Sequence, residues 1–324
     1  MIPKAELHVH LEGTAPPHLV RKLADRNGVT LPADLFHDDG EFHWRDFGHF
    51  LEVYDAASSV IKTPEDYRDV TYEYLASCAA EGAIYVEVMS SPDHAAAAGM
   101  SYQDHLEGIG AGIRDVARDH NIEGRLIVTC VRHFGVERAM EVARQVVAAP
   151  HELLVGFGMG GDEAAWPPAQ FADAFNYVAS SGLPCTVHAG EWAGPALIRE
   201  AIAELPVSRL GHGVRAIEDP TLVQELSDRG IALEVCPGSN IATGLYATLE
   251  EHPIRRLIEA GVTVSLNSDD PPYFATSIGR EYDNAESVLG LSSAQLCQIT
   301  RAAINASFAD DQTKARLLAL VPLA

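Results

Sequence analysis

The chain has 324 residues, 47% of them hydrophobic and 21% charged, with a mean hydropathy of −0.01, the profile of a globular protein with an ample core. Forty-six acidic residues against 23 basic ones give a formal charge of −23. Such a chain lacks the cations that neutralise nucleic acid phosphates or an anionic membrane, so neither is expected as a partner, and substrates should be neutral or locally guided.

Five scattered cysteines, with no Cys-x-x-Cys among them, fit a reduced compartment. Only seven residues precede His8, and no apolar run reaches membrane-spanning length. The expected location is therefore the cytoplasm.

In chain order, Leu7, Val9 and Leu11 alternate with His8, His10 and Glu12. Period two makes this a strand that presents both imidazoles on one face. Two histidines from one rigid strand suit a borderline cation such as zinc, although a His-x-His pair alone is as readily two surface side chains. A helix is expected from Pro16-Pro17 to Asn27-Gly28, with proline first and glycine last. Phe47, Phe50, Leu51 and Tyr54 recur at helical spacing and predict an amphipathic helix from Trp44 to about Ser59, either packed into the core or lying over a pocket. Thr63-Pro64-Glu65-Asp66 caps a further helix that ends near Gly82.

Alternation follows. Strand-like runs at Ala83–Met89, Arg125–Val131, Leu153–Phe157, Pro184–His188, Arg209–His212, Ile231–Cys236 and Val262–Asn267 are separated mostly by helical patterns, among them Tyr102–Asp119, Val136–Ala149, Pro195–Leu205, Pro220–Arg229 and Pro253–Ala260. With the opening strand these make eight βα units. They predict an α/β fold, a single (β/α)8 TIM barrel over residues 1–324, with extra helices between the first two strands and at the C-terminus, about Ser292–Ile304 and Asp311–Leu320. An open doubly wound sheet is the structural alternative.

Catalytic groups of such barrels sit at the C-terminal ends of the strands. Here those ends carry His8 and His10, then His188-Ala189-Gly190-Glu191, then Gly211-His212-Gly213, then Ser268-Asp269-Asp270-Pro271. Each alone has an ordinary explanation, whereas four polar strand ends together point to a metal site. The ten other histidines mostly fall in helices or polar connections.

These segments, with Pro3-Lys4-Ala5 ahead of the first and Ser265-Leu266-Asn267 ahead of the last, resemble the signature segments of the adenosine deaminase family of zinc amidohydrolases, in the family's order and across the whole chain. The resemblance implies a (β/α)8 barrel with one zinc ion that hydrolyses the amino group of an aminopurine nucleoside or base. It implies His8, His10, His188 and Asp269 as metal ligands, and this donor set leaves a position for water whose pKa the metal lowers. Glu191 is the expected proton donor to the purine ring, kept protonated by apolar surroundings, and His212 is expected to orient the nucleophile. The substrate-facing residues are expected to be His10, Glu12, Gly161 (its amide toward purine N3) and Asp270 (toward N7). Gly158 and Met159 stand where the family often has Asp-Leu.

A dinucleotide fingerprint at Gly156-x-Gly158-x-x-Gly161 fails, because Asp162 and Glu163 follow at once and Pro167-Pro168 delays the helix. The cysteine ligands of cytidine-type deaminases are absent. On substrate, Glu12 stands where adenosine deaminases often carry Asp. Gly211-His212-Gly213-Val214-Arg215 and Cys236-Pro237-Gly238-Ser239-Asn240 look more like adenosine deaminases, so adenosine and 2'-deoxyadenosine lead. Adenine or a modified nucleoside such as aminodeoxyfutalosine is the alternative, and a catalytically silent nucleoside-binding barrel is the reading from a different class.

Overall fold

The structure is a computed structural model that describes residues 2–323. Eight strands, β1 (Lys4–Glu6), β2 (Ala83–Ser90), β3 (Glu123–Val131), β4 (Leu154–Gly160), β5 (Cys185–Ala189), β6 (Val207–His212), β7 (Ala232–Val235) and β8 (Val264–Leu266), pair in sequence order. Every pairing is parallel. The strands follow one another in order and the last meets the first, so the helices cover the outer face while the inner face is filled by the strands' own side chains, a barrel and not the open doubly wound alternative.

Closure between β8 and β1 uses few ladder bonds. Leu7 N–H donates to the Asn267 side chain at 2.8 Å, His10 N–H donates to Asp269 O at 3.0 Å, and Val9 and His10 form single bridges to Asp269 and Met89. The regular opening strand therefore stops at Glu6, short of the expected His8–Leu11. Beyond it the chain runs between its two neighbours and meets each through isolated contacts. β4 extends three residues past its expected end, through Gly158-Met159-Gly160, because ladder bonding to β3 continues where apolar character fades.

Three helices fill the long β1–β2 connection, Pro17–Asn27, Phe47–Ser58 and Pro64–Ala80. The last has the expected reciprocal cap between Thr63 and Asp66. The C-terminal pair is Ser293–Ala306 and Asp311–Leu318. Helices Pro92–Ala97, Ala172–Ser180, Pro237–Ala242 and Ile278–Ser287 were not anticipated from periodicity; two of them are only six residues long, too short to show an amphipathic repeat. No helix among the described residues is long and apolar enough to cross a membrane.

Candidate active site

The strand ends bring His8, His10, His188 and Asp269 together, with ligand atoms all within 4.8 Å of one another. His188 donates its Nδ1–H to Met159 O (2.9 Å), which leaves a lone pair on Nε2, 3.1 Å from His10 Nε2. His8 Nδ1 is held by Glu234 Oε2 at 2.8 Å, and its buried Nε2 has no hydrogen-bond partner. Asp269 Oδ1 lies 3.5 Å from His8 Nε2 and 3.4 Å from His10 Nε2.

The electrostatics fit a cation. Burial lowers His10 to about 4 and holds His188 well below the usual imidazole range, with neighbouring imidazoles adding to the effect, so both are neutral donors. Burial also opposes a charge on His8, yet Asp269 and Glu234 outweigh it and push His8 up to about 10. Those carboxylates favour a positive charge at this point, and a bound metal would supply one without a proton.

A second group, His8, His212, Cys236 and Asp269, is equally compact. It shares the one free nitrogen of His8, so only one group can be used. The choice follows from a chain of hydrogen bonds. Ile254 N–H donates to His252 Nδ1 (3.3 Å), so the proton of that ring sits on Nε2, 3.1 Å from Asn240 Oδ1. Asn240 then turns its amide nitrogen to His212 Nδ1 at 3.3 Å. His212 is thereby left with a proton on Nε2, a donor and not a ligand. Burial keeps it neutral, lowered to about 3, and keeps the Cys236 thiol raised well above its ordinary value.

His212 Nε2 lies 3.6 Å from Glu191 Oε2 and 3.8 Å from Asp269 Oδ2. Burial, reinforced by the charges of Asp269 and Glu163, raises Glu191 well above the carboxylate range. Burial and Asp269 do the same to Asp270, whose Oδ1 is buried without a partner. Two of the four non-glycine residues with positive φ among those described are His212 (56°) and Asp269 (65°), so the backbone is held in a costly conformation where the chemistry is aimed. Close approach explains two glycines. A Cβ on Gly211 would come within 2.7 Å of the His8 ring, and one on Gly13 would overlap Asp270 Oδ1.

A cavity of about 100 Å³ opens onto these groups. Its wall includes His10, Glu12, Gly161, Glu191, His212 and Asp270. Glu12 Oε1 accepts from Ser90 Oγ (2.5 Å) and Tyr67 OH (3.3 Å), and His105 Nε2 lies 2.8 Å from Ser90 Oγ. The helix Phe47–Ser58 does both things expected of it. It buries Phe50, Val53 and Ala57, and it roofs the cavity with Phe47, Phe50, Leu51 and Tyr54. Four histidines set aside from the sequence belong to the neighbourhood after all: His94 and His133 line the cavity, His105 supports Glu12 through Ser90, and His252 orients Asn240. Their helical or loop positions hid this, because nothing local marks a contact made across the barrel.

Sequence reasoning also missed the floor beneath the ligands. Glu234 accepts from Thr186 Oγ1 (2.9 Å) besides His8, and lies 2.6 Å from Arg209 Nε. Arg209 in turn lies 2.7 Å from Glu87 and its guanidinium sits over the Phe308 ring. Glu6 accepts from Ser268 N–H (2.8 Å) and Oγ–H (2.7 Å) and from Tyr74, which fixes the β8 end just before Asp269. Charges inside otherwise apolar strands were the available signal, since buried charges must be paired.

Comparison with known proteins agrees with this geometry. The family model described as adenosine deaminase matches residues 3–323. An adenine deaminase of Chelativorans sp. (strain BNC1) is 45% identical over 319 residues, covering 98% of each chain. Among solved structures, the adenine deaminase of Arthrobacter aurescens superposes with a TM-score of 0.92 at 33% identity, covering 98% of each chain. An amidohydrolase of Burkholderia ambifaria with bound zinc superposes at 0.89 and 29% identity, over 98% of this chain and 89% of that one. These likenesses run along nearly the whole length of the chain, and the chain belongs to the adenosine deaminase family of hydrolytic aminopurine deaminases.

Proposed function

We propose that this enzyme converts free adenine and water to hypoxanthine and ammonia, with one zinc ion per chain. The observation that carries the choice of substrate is the likeness, along nearly the whole chain, to proteins named adenine deaminase. This reading replaces adenosine, which the sequence favoured through Gly211–Arg215 and Cys236–Asn240. Of those segments only His212 lines the cavity wall.

His8, His10, His188 and Asp269 would hold the ion, a three-nitrogen, one-carboxylate set that suits zinc and leaves an open position. A zinc ion so held supplies Lewis acidity that lets water act as a nucleophile near neutral pH. The chain's own residues do the rest. Protonated Glu191 gives its proton to the ring nitrogen beside the amino-bearing carbon, which weakens ring conjugation as oxygen adds to that carbon. His212 offers its Nε2–H to the incoming oxygen and steadies the charge that develops there. The neutral Asp270 carboxyl meets N7, the Gly161 amide meets N3, and Glu12 closes the far wall. The Glu191 carboxylate then takes the proton of the added hydroxyl and passes it to the amino group, so that the carbonyl forms as the C–N bond breaks and ammonia leaves, and the next water re-protonates Glu191.

Rates on adenine, adenosine, deoxyadenosine and aminodeoxyfutalosine, with metal content measured on the same sample, test the reading. Adenine should give the highest kcat/KM; a higher value on any nucleoside would refute the substrate assignment, and no ammonia from any of them with metal bound would favour a silent nucleoside-binding barrel.

A further inference from the structure

The loop that carries Glu191 leaves β5 at Ala189 and turns through Gly190 at φ 88° before the helix Pro195–Glu204 begins. A loop of this kind needs something to hold its exposed amides. That something is Glu163, whose carboxylate accepts the N–H groups of four consecutive residues. Gly190 donates to Oε1, while Glu191 (3.0 Å), Trp192 (3.0 Å) and Ala193 (3.3 Å) donate to Oε2. Glu163 is 1% exposed, so water does not compete for these bonds.

Its own aim is fixed from the other side. Asp162 Oδ1 accepts from Ala164 and Ala165 N–H, both at 3.1 Å, and so closes the turn that follows Gly161. Buried Arg132 reaches across the same space and donates to His188 O at 2.7 Å and to Trp166 O at 3.2 Å. Glu163 therefore stands two residues beyond Gly161 and reaches the loop of Glu191, linking a segment of the cavity wall to the loop of the proton donor.

We infer that Glu163 is a positioning residue for the deamination: its carboxylate gathers the amides of Gly190–Ala193 and thereby sets where the Glu191 side chain meets the purine ring. The inference rests on the role of Glu191 proposed above. Four converging donors need an acceptor with no hydrogens of its own, and only an ionised carboxylate of this length provides one. Glutamine has the same shape but turns an NH2 group toward either one or three of the four donors, depending on which oxygen it replaces.

The test compares wild-type, E163Q and E163D holoenzymes by steady-state kinetics on adenine, metal content and amide hydrogen exchange of the 188–194 segment. E163Q should keep its metal and lose ~10²-fold in kcat, the scale of a displacement of about 1 Å in a catalytic group, while KM changes by no more than about threefold. Exchange of the 190–193 amides should quicken. E163D keeps the charge but withdraws it by one methylene, and should fall between wild type and E163Q. If E163Q does not fold, the kcat–KM split in E163D decides the matter alone. An active wild-type enzyme whose variants keep wild-type kcat, or lose only in KM or metal content, overturns the inference by itself. A metal-loaded wild-type enzyme that releases no ammonia from adenine overturns the proposed function, and this inference with it.

Discussion

Glu234 gives the sharpest test of how the fold prepares the cation site. It is fully buried and accepts from His8 Nδ1 at 2.8 Å, so it fixes the ring that points Nε2 toward the other ligands and makes that nitrogen more basic. In E234Q one oxygen can still receive His8, but an NH2 group then stands where Oε1 met Thr186 Oγ1 at 2.9 Å and Arg209 Nε at 2.6 Å. Loss of such a partner typically weakens metal binding about 10- to 100-fold, or about 1.4–2.7 kcal/mol. The cost to the fold should be smaller than the roughly 3–5 kcal/mol of a broken buried ion pair, because Arg209 keeps Glu87 at 2.7 Å. Titration of metal-free enzyme with zinc against a chromogenic chelator measures the first quantity, and denaturant unfolding of the same metal-free samples measures the second. A folded E234Q protein that binds zinc as tightly as wild type would refute the claim that this carboxylate prepares His8.

Two further outcomes follow from the buried carboxyl groups. E191Q should retain fold and zinc and lose ~10²- to 10⁴-fold in turnover; ammonia release near the wild-type rate would remove Glu191 as the acid. Glu281 sits under the β7 loop, where it accepts from Gly238 N–H (3.1 Å) and Thr276 Oγ1 (2.5 Å), and burial raises it from 4.5 to about 7 despite those bonds. Below 4.5 the carboxyl is protonated folded or unfolded and costs nothing; between 4.5 and about 7 the unfolded chain gives up a proton that the fold retains, so stability falls as pH rises. Above that the penalty is constant at about 3 kcal/mol. E281Q should therefore flatten the fall in unfolding free energy between about pH 5 and about pH 8, and an unchanged slope would count against the titration.

Much of the site was legible because its signals are local. His8 and His10 share a face by period two, Glu191 follows His188 by three residues, and Asp269 and Asp270 are neighbours that a strand end points in different directions. The barrel was legible for the same reason, as apolar runs of strand length alternating with helical spacing. What sequence did not reveal is made across strands. His188 stands beside Gly211 and Gly211 beside Glu234 only because of the β5–β6 and β6–β7 registers, and no periodicity encodes a register between segments tens of residues apart. The tautomer of His212 depends on Asn240 and His252, 28 and 40 positions further along, so only the folded chain shows which of its two nitrogens carries the proton.

One signal was present in the sequence and went unused. Glu87, Arg209, Glu234 and Asp269 are charged residues within or at the end of apolar strands, and all four are buried. Arg209 pairs with Glu87 and Glu234, while Glu234 and Asp269 both face His8, and buried carboxylates of this kind call for a compensating charge. Against the effect of burial, Asp269 and Glu234 are what push His8 up to about 10. A divalent cation between His8 and Asp269 would offset both of the carboxylates that face His8 where a proton on His8 offsets only one, so these buried carboxylates support the proposed metal site alongside the histidines that would hold it.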